Sequence, residues 1–268
     1  MCKKRIHTST IFFALGALAL GAIVASAPTA LAAAAPGDPP PVRIAFVGDS
    51  MADGLWGALF RRLGKDKCLA EKIKLLRHAK NGTGLTRLDQ YNWLDEVAAL
   101  ATDPGVDLFV GSFGVNDRQS IVDAAKTRVE YGGADYAGRY EGLVEGVVQS
   151  ALAHGSSMLV MGLPVMLDPA ANADATEKNR LFAEAVAHVD SPRAAYVPPW
   201  ESHPGVDEYK PFLPNANNAM VQVRASDGVH FTSAGYDMAM DVFYPSIMQS
   251  LKQRGRDVAD ECEKTGER

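Results

Sequence analysis

Residues 42–53 read VRIAFVGDSMAD. Val42, Ile44, Phe46 and Val47 form a short apolar run rich in strand formers. Gly48 and Asp49 break it, and Ser50 follows at once. Ala52, Leu55, Leu59 and Leu63 then recur at helical spacing, with Arg61, Arg62 and Lys65 off that face, and Gly64 closes the helix. A serine between a buried strand and a helix N-terminus is placed for chemistry. The strand fixes it, the turn pushes Oγ outward, and the free helix N–H groups favour negative charge beside it. Serine is also a preferred helix cap, so the turn by itself leaves both roles open.

Upstream, residues 1–32 read as a targeting leader. Lys3, Lys4 and Arg5 form a basic start, residues 11–24 an apolar core rich in Ala and Leu, and Ala30-Leu31-Ala32 a small-residue cleavage signal. The apolar run is nearly long enough to span a bilayer, so an uncleaved anchor is the competing reading. Cys2 precedes the apolar core and is not placed for lipid attachment. Residues 33–41 hold Pro36, Pro39, Pro40 and Pro41, a stiff link into the domain. The expectation is therefore a periplasmic or secreted protein without stable membrane insertion once the leader is cut.

The whole chain of 268 residues has 27 basic and 32 acidic side chains; without the leader the balance is 24 to 32, a net charge of −8. That balance argues against nucleic acid as a partner. About 236 residues remain, enough for one α/β domain with a full core. Two cysteines remain with them, Cys68 and Cys262. In an oxidising compartment they can pair, or they can be two free thiols; spacing alone does not say which.

Downstream, residues 73–76, 106–110, 158–161 and, more weakly, 194–197 read as further strands. Helical patterns cover residues 93–100, 136–152, 175–189 and 232–251, with Pro245 expected to bend or split the last. Strands alternating with helices predict a five-stranded parallel sheet wrapped by helices, with ligands at the carboxyl ends of the strands. The expected domain spans residues 42–254. Residues 200–226, with Pro204, Pro211 and Pro214, form a hairpin-like excursion, either a wall over a site or a plain surface loop. Residues 255–268 are a polar tail expected to fray.

Four short blocks follow separate strands: Gly48-Asp49-Ser50, Gly82-Thr83-Gly84, Gly114-Val115-Asn116-Asp117 and Asp227-x-x-His230. In this order they resemble the SGNH (GDSL) hydrolase superfamily across nearly all of the chain beyond the leader. The longer strings GDSMADGL, NGTGLTR with YNW, GVNDRQSI and VRASDGVHFTSAG are most similar to its exported branch described as domain of unknown function 459. The resemblance implies a three-layer α/β/α flavodoxin-like sandwich and a serine nucleophile. It also implies an oxyanion hole made by the Ser50 backbone N–H, the Gly84 backbone N–H and the Asn116 side-chain amide. Gly84 is taken over Gly82 because it matches the second-block glycine.

Chemistry agrees with that assignment. A serine hydroxyl needs a base to take its proton, and His230 is the best base in the chain. Asp227, three residues earlier, can hold the other ring nitrogen and favour the imidazolium. Asp49 and Asp117 are expected to hold local turns. Arg118 is either a contact for an anionic substrate or a partner of Asp49, and Asp49 is the second candidate substrate contact. His78, His154, His188 and His203 have no acidic partner at motif spacing. No cluster supplies the ligands a metal at Asp227 and His230 would need, and no cofactor is called for. The absence of G-x-S-x-G sets aside the α/β-hydrolase elbow.

The sequence thus predicts a serine esterase acting on an ester or an acylated glycan, with a small acyl group such as acetyl. An O-acetyltransferase using the same residues, a glycan-binding envelope protein without turnover, and a lysophospholipase or thioesterase are the alternatives. The sequence carries no signal for oligomeric state.

Overall fold

The structure, a computed structural model, describes residues 39–102, 105–202 and 208–265. The leader, most of the proline-rich link, Pro104, and His203 and Pro204 in the excursion lie outside them. The sheet strands are β1 Val42–Gly48, β2 Ile73–Arg77, β3 Leu108–Ser112, β4 Ser157–Met161 and β5 Ala194–Val197. They are all parallel, in the order β2-β1-β3-β4-β5. Helices α1 Ser50–Leu63, α2 Lys67–Lys72, α3 Trp93–Thr102, α4 Tyr136–Leu152, α5 Pro169–Val189, α6 Ser233–Gln253 and α7 Val258–Thr265 complete the architecture.

Alternation along β1 builds the two faces. Ile44 and Phe46 join Leu55 and Leu59 of α1 and Met240, Phe243 and Ile247 of α6 on one side. Ala45 and Val47 join Val97 of α3, Tyr140 and Val144 of α4 and Phe182 of α5 on the other. The result is the three-layer sandwich. The chain steps from β1 outward to β2, then crosses back to β3 on β1's other edge. That reversal makes the carboxyl ends of β1 and β3 the switch point of the sheet, where open α/β folds bind ligands. Ser50 leaves β1 there, and residues 113–117 leave β3 beside it.

Three parts depart from the sequence reading. Residue Pro245 does not split α6, which runs unbroken because Phe243, Ile247 and Leu251 on both sides of it are buried. Much of the tail is not frayed: α7 forms there and is tied to α2 by a Cys68–Cys262 disulfide with Cα atoms 5.7 Å apart. A short antiparallel hairpin, Ile121–Val122 with Arg128–Val129, and the single-turn helix α2 had no sequence signal, being too short to show a period. The excursion forms its hairpin, Phe212–Pro214 against Met220–Gln222.

Candidate active site

Building the nucleophile turn requires Gly48. Its φ is +126°, and a Cβ there would lie 1.8 Å from the Ser112 carbonyl, so only glycine lets β1 end this close to β3. Asp49 then locks the turn. Its N–H donates to the Ser112 carbonyl at 3.0 Å. Its carboxylate accepts the Met51 N–H at 2.9 Å and the Val115 N–H at 3.2 Å. Asp49 is therefore the cap of α1, and it also ties that helix to the loop after β3. With the cap role filled, Ser50 is the first residue of α1, and its Oγ lies 2.6 Å from Nε2 of His230.

Asp49 is fully buried. That overturns its candidacy as a substrate contact, because no surface remains for one. It also does not pair with Arg118, whose guanidinium lies 3.5 Å from Asp168 at the start of α5. Burial pushes the Asp49 carboxyl up to about 8, with the neighbouring Asp117 adding to the push and the Met51, Val115 and Gly114 N–H groups opposing it.

Asp117 departs further from its expected local role. Its carboxylate reaches the second block, accepting the Leu85 N–H at 3.0 Å, the Thr86 N–H at 3.2 Å and the Thr86 hydroxyl at 2.8 Å. The Tyr140 hydroxyl donates to it at 2.9 Å, and the Tyr136 hydroxyl donates to its backbone carbonyl at 2.7 Å. Burial, then the Asp117 charge, hold both phenols well above the usual tyrosine range. Gly84 is tied to this clamp: a Cβ there would meet Asp117 Oδ1 at 1.9 Å. Asn116, next to the clamp, donates its side-chain amide to the Thr83 carbonyl at 2.8 Å, which places that amide beside the Thr83–Gly84 peptide. The sequence reading missed Thr86, Tyr136 and Tyr140. The two tyrosines sit on the apolar face of α4 and read as packing; only their hydroxyls hinted at more.

On the far side, residues 223–232 double back as a turn, with Ala225 N–H on the His230 carbonyl at 2.8 Å and Thr232 N–H on the Val223 carbonyl at 3.0 Å. Asp227 Oδ1 accepts the N–H groups of Val229 and His230, both at 2.9 Å, and Oδ2 lies 2.6 Å from His230 Nδ1. Partial burial would raise the Asp227 carboxyl, but those donors and the imidazole outweigh it and hold it at about 2. A continuous relay results, from Ser50 Oγ through the His230 ring to Asp227.

The remaining histidines are not part of it. His154 is exposed and His78 half-buried. His188 has acidic partners, though not at motif spacing: Glu141 and Glu145 of α4 lie 2.9 and 3.2 Å from its Nδ1. Spacing could not show this, because the pair comes from a neighbouring helix. These three residues are the metal-capable group among the described residues, with ligand atoms within 4.8 Å of one another. Of the two carboxylates, Glu145 is hydrogen-bonded to Nδ1, while Oε1 of Glu141 is buried with no hydrogen-bond partner among the described residues.

Residues 43–246 match the protein family described as Protein of unknown function (DUF459). No curated protein matches the sequence. Among solved structures, the chain is similar to a carbohydrate esterase family 3 protein from Talaromyces cellulolyticus, with 14% identity and TM-score 0.54, covering 79% of this chain and 99% of that one. It is similar to a variant of Axe2, an acetyl-xylooligosaccharide esterase from Geobacillus, with 16% identity and TM-score 0.54, covering 77% and 94%. A putative acylhydrolase from Bacteroides fragilis has 20% identity and TM-score 0.51, covering 80% and 91%. These likenesses are of fold.

Proposed function

The chain belongs to the family described as Protein of unknown function (DUF459) and has the SGNH-hydrolase fold, and from that premise we propose that it is an exported serine esterase working through an acyl-enzyme. The observation that carries this reading is the relay, with 2.6 Å between Ser50 Oγ and His230 Nε2 and 2.6 Å between His230 Nδ1 and Asp227. In it, Ser50 Oγ attacks the ester carbonyl while His230 Nε2 takes its proton. Asp227 keeps Nδ1 protonated and favours the imidazolium that forms. The N–H groups of Ser50 and Gly84 and the second amide hydrogen of Asn116 stabilise the oxyanion. Collapse of the tetrahedral intermediate breaks the bond to the alcohol, which takes the proton back from His230. Water then repeats the sequence on the acyl-enzyme and releases the acid.

The substrate reading is a short acyl group, such as acetyl, on an envelope or exported glycan. Asp227 is half exposed and His230 one-third exposed, so a bulky alcohol can approach the relay from solvent. Leu167, exposed beside the histidine turn through its N–H bond to the Gly228 carbonyl, offers an apolar contact to substrate there. Arg118, half exposed in a weakly held ion pair, is the polar contact nearest the third block. Two of the similar structures are named as esterases of carbohydrates, which supports the same class. Export is supported by the leader pattern and by the Cys68–Cys262 disulfide, a bond of oxidising compartments.

Labelling with a fluorophosphonate tests this directly. The parent protein is expected to take up one label at Ser50 and to hydrolyse p-nitrophenyl acetate faster than longer esters. Ser50→Ala is expected to lose the label and at least about 10⁴-fold in turnover. A folded parent that takes no label and leaves acetyl esters untouched would end the esterase reading.

A further inference from the structure

We infer that Arg224 is a positioning residue for His230, holding the peptide bond that precedes the histidine so that its ring stays aimed at Ser50; this rests on the serine-esterase reading. Asp227 and His230 sit at the tip of the turn formed by residues 223–232. Backbone bonds close the neck of that turn, where Arg224 and Phe231 pair in an antiparallel bridge. At the tip, the peptide joining Val229 to His230 is gripped on both sides. Its N–H donates to Asp227 Oδ1 at 2.9 Å. Its carbonyl accepts from Arg224 Nη2 at 2.9 Å. A peptide plane held at both its N–H and its carbonyl fixes the root of the imidazole, and with it the direction of Nε2.

The other arm of the guanidinium connects this grip to the sheet. Nη1 donates to Glu201 Oε1 at 3.1 Å. Glu201 lies in the 3-10 turn Trp200–Ser202, three residues beyond the end of β5. The guanidinium is sandwiched between the rings of Tyr209 and Phe231, 4.7 and 4.6 Å from their centroids. Both charged side chains are almost wholly buried, at 2% and 5% exposure. Arg224 Nε and Glu201 Oε2 have no hydrogen-bond partner among the described residues, so the pair is joined through one arm and is poorly optimised as a stabilising ion pair. A buried pair of that kind is weak evidence of stability. It makes sense as a strut, with two fixed donor directions reaching two elements at once. Lysine, a single point charge, cannot supply both.

The test uses the full exported protein with Arg224→Lys, Arg224→Met and Glu201→Gln. Four quantities are read: kcat and KM on an acetyl ester, the pH dependence of fluorophosphonate labelling, and the downfield proton resonance of the His230 Nδ1–H held by Asp227. A misaimed ring lowers kcat by about 10- to 100-fold while the substrate still binds, so KM stays within about twofold. The lysine variant does not rescue, the labelling profile moves along the pH axis, and the downfield resonance weakens or shifts. Glu201→Gln, which keeps size and an acceptor oxygen, moves the same quantities less. Variants that lose only melting temperature, with kcat per folded molecule, labelling profile and resonance unchanged, would overturn the inference. Should the Arg224 variants fail to fold, Glu201→Gln decides by the same readings. If the parent itself takes no label, the esterase reading has failed, and the resonance alone still reports whether Arg224 holds the histidine.

Discussion

Asp117 and Asp227 each brace a residue of the candidate site, yet one is fully buried and the other half exposed. Asp117 sits where β1 and β3 diverge and accepts hydrogen bonds from Leu85, Thr86 and Tyr140. Asp227 sits on a late turn hung beyond the sheet, and its bonds go to Val229 and His230 within the same turn. The serine side is therefore part of the core, and loosening it loosens the protein. The histidine side is an attachment, whose geometry can change while the fold stands. Stability and activity ought to separate along that line.

The sharpest way to break this contrast is to neutralise each aspartate without changing its size. Asp117→Asn turns two of its four acceptor positions into donors that face buried N–H and O–H groups. It is expected to cost about 3–5 kcal/mol of stability and, in whatever folds, about 10²–10³ in kcat through the displaced Gly84 and Asn116. Asp227→Asn, on a half-exposed turn, is expected to cost only about 1 kcal/mol of stability, yet to lower kcat by about 10²–10⁴ because the imidazole loses its tautomer and its counter-charge. Denaturant melts and steady-state rates on the same preparations check both. Equal stability losses in the two variants would erase the distinction.

A smaller effect separates the fold's far end from the site altogether. The disulfide joins α2 to α7 across 194 residues of sequence, and a crosslink over so long a loop chiefly limits the unfolded chain. Cys262→Ser is expected to lower stability by about 2–5 kcal/mol with kcat unchanged at temperatures where the variant is folded. The measurement is unfolding of parent and variant with and without reductant; a reductant effect persisting in the variant would assign the stabilisation elsewhere.

What the sequence disclosed follows the same division. Ser50, Asp227 and His230 stood out because the chemistry restricts which residue types can serve, and each follows a strand or closes a tight turn. Three of the four blocks come together because they follow strands of one parallel sheet at the same edge, which the strand and helix alternation already implied; the fourth, Asp227 to His230, arrives on the turn after the separate Phe212–Pro214 and Met220–Gln222 hairpin. Asp117 did not stand out, since its partners lie 31 and 32 residues upstream in a loop with no periodicity. Of the two readings of Arg118, pairing with Asp49 fails for a related reason: the carboxylate beside it, Asp168, lies 50 residues downstream at the start of a helix and belongs to none of the four blocks. The cysteines stayed undecided because α7 is too short and polar to announce itself, and only that helix brings Cys262 to Cys68. Long-range pairing was legible where the chemistry demanded it, as between Ser50 and His230, and not where it only braces the fold.

The subtlest separation of the two halves is in their response to pH. Burial lifts Asp49, on the serine side, from an ordinary 3.8 to about 8, while its donors hold Asp227, on the histidine side, near 2. The fold therefore keeps a proton on Asp49 that the unfolded chain releases near pH 4. Stability from this source is whole below that point and declines as pH rises toward 8. Asp227 acts in the opposite sense, contributing above pH 4 and failing only as pH falls toward 2. Urea midpoints of the parent should accordingly drop across the neutral range, and Asp49→Asn, which has no proton to lose, should flatten that slope even though its amide fits the Met51 and Val115 N–H groups poorly and lowers the whole curve. A slope that survives the substitution would place the titrating group elsewhere. A parent stability that rises from pH 4 to 8 would mean that the N–H groups around Asp49 outweigh its burial, and that the serine turn is held by a charge rather than by a neutral acid.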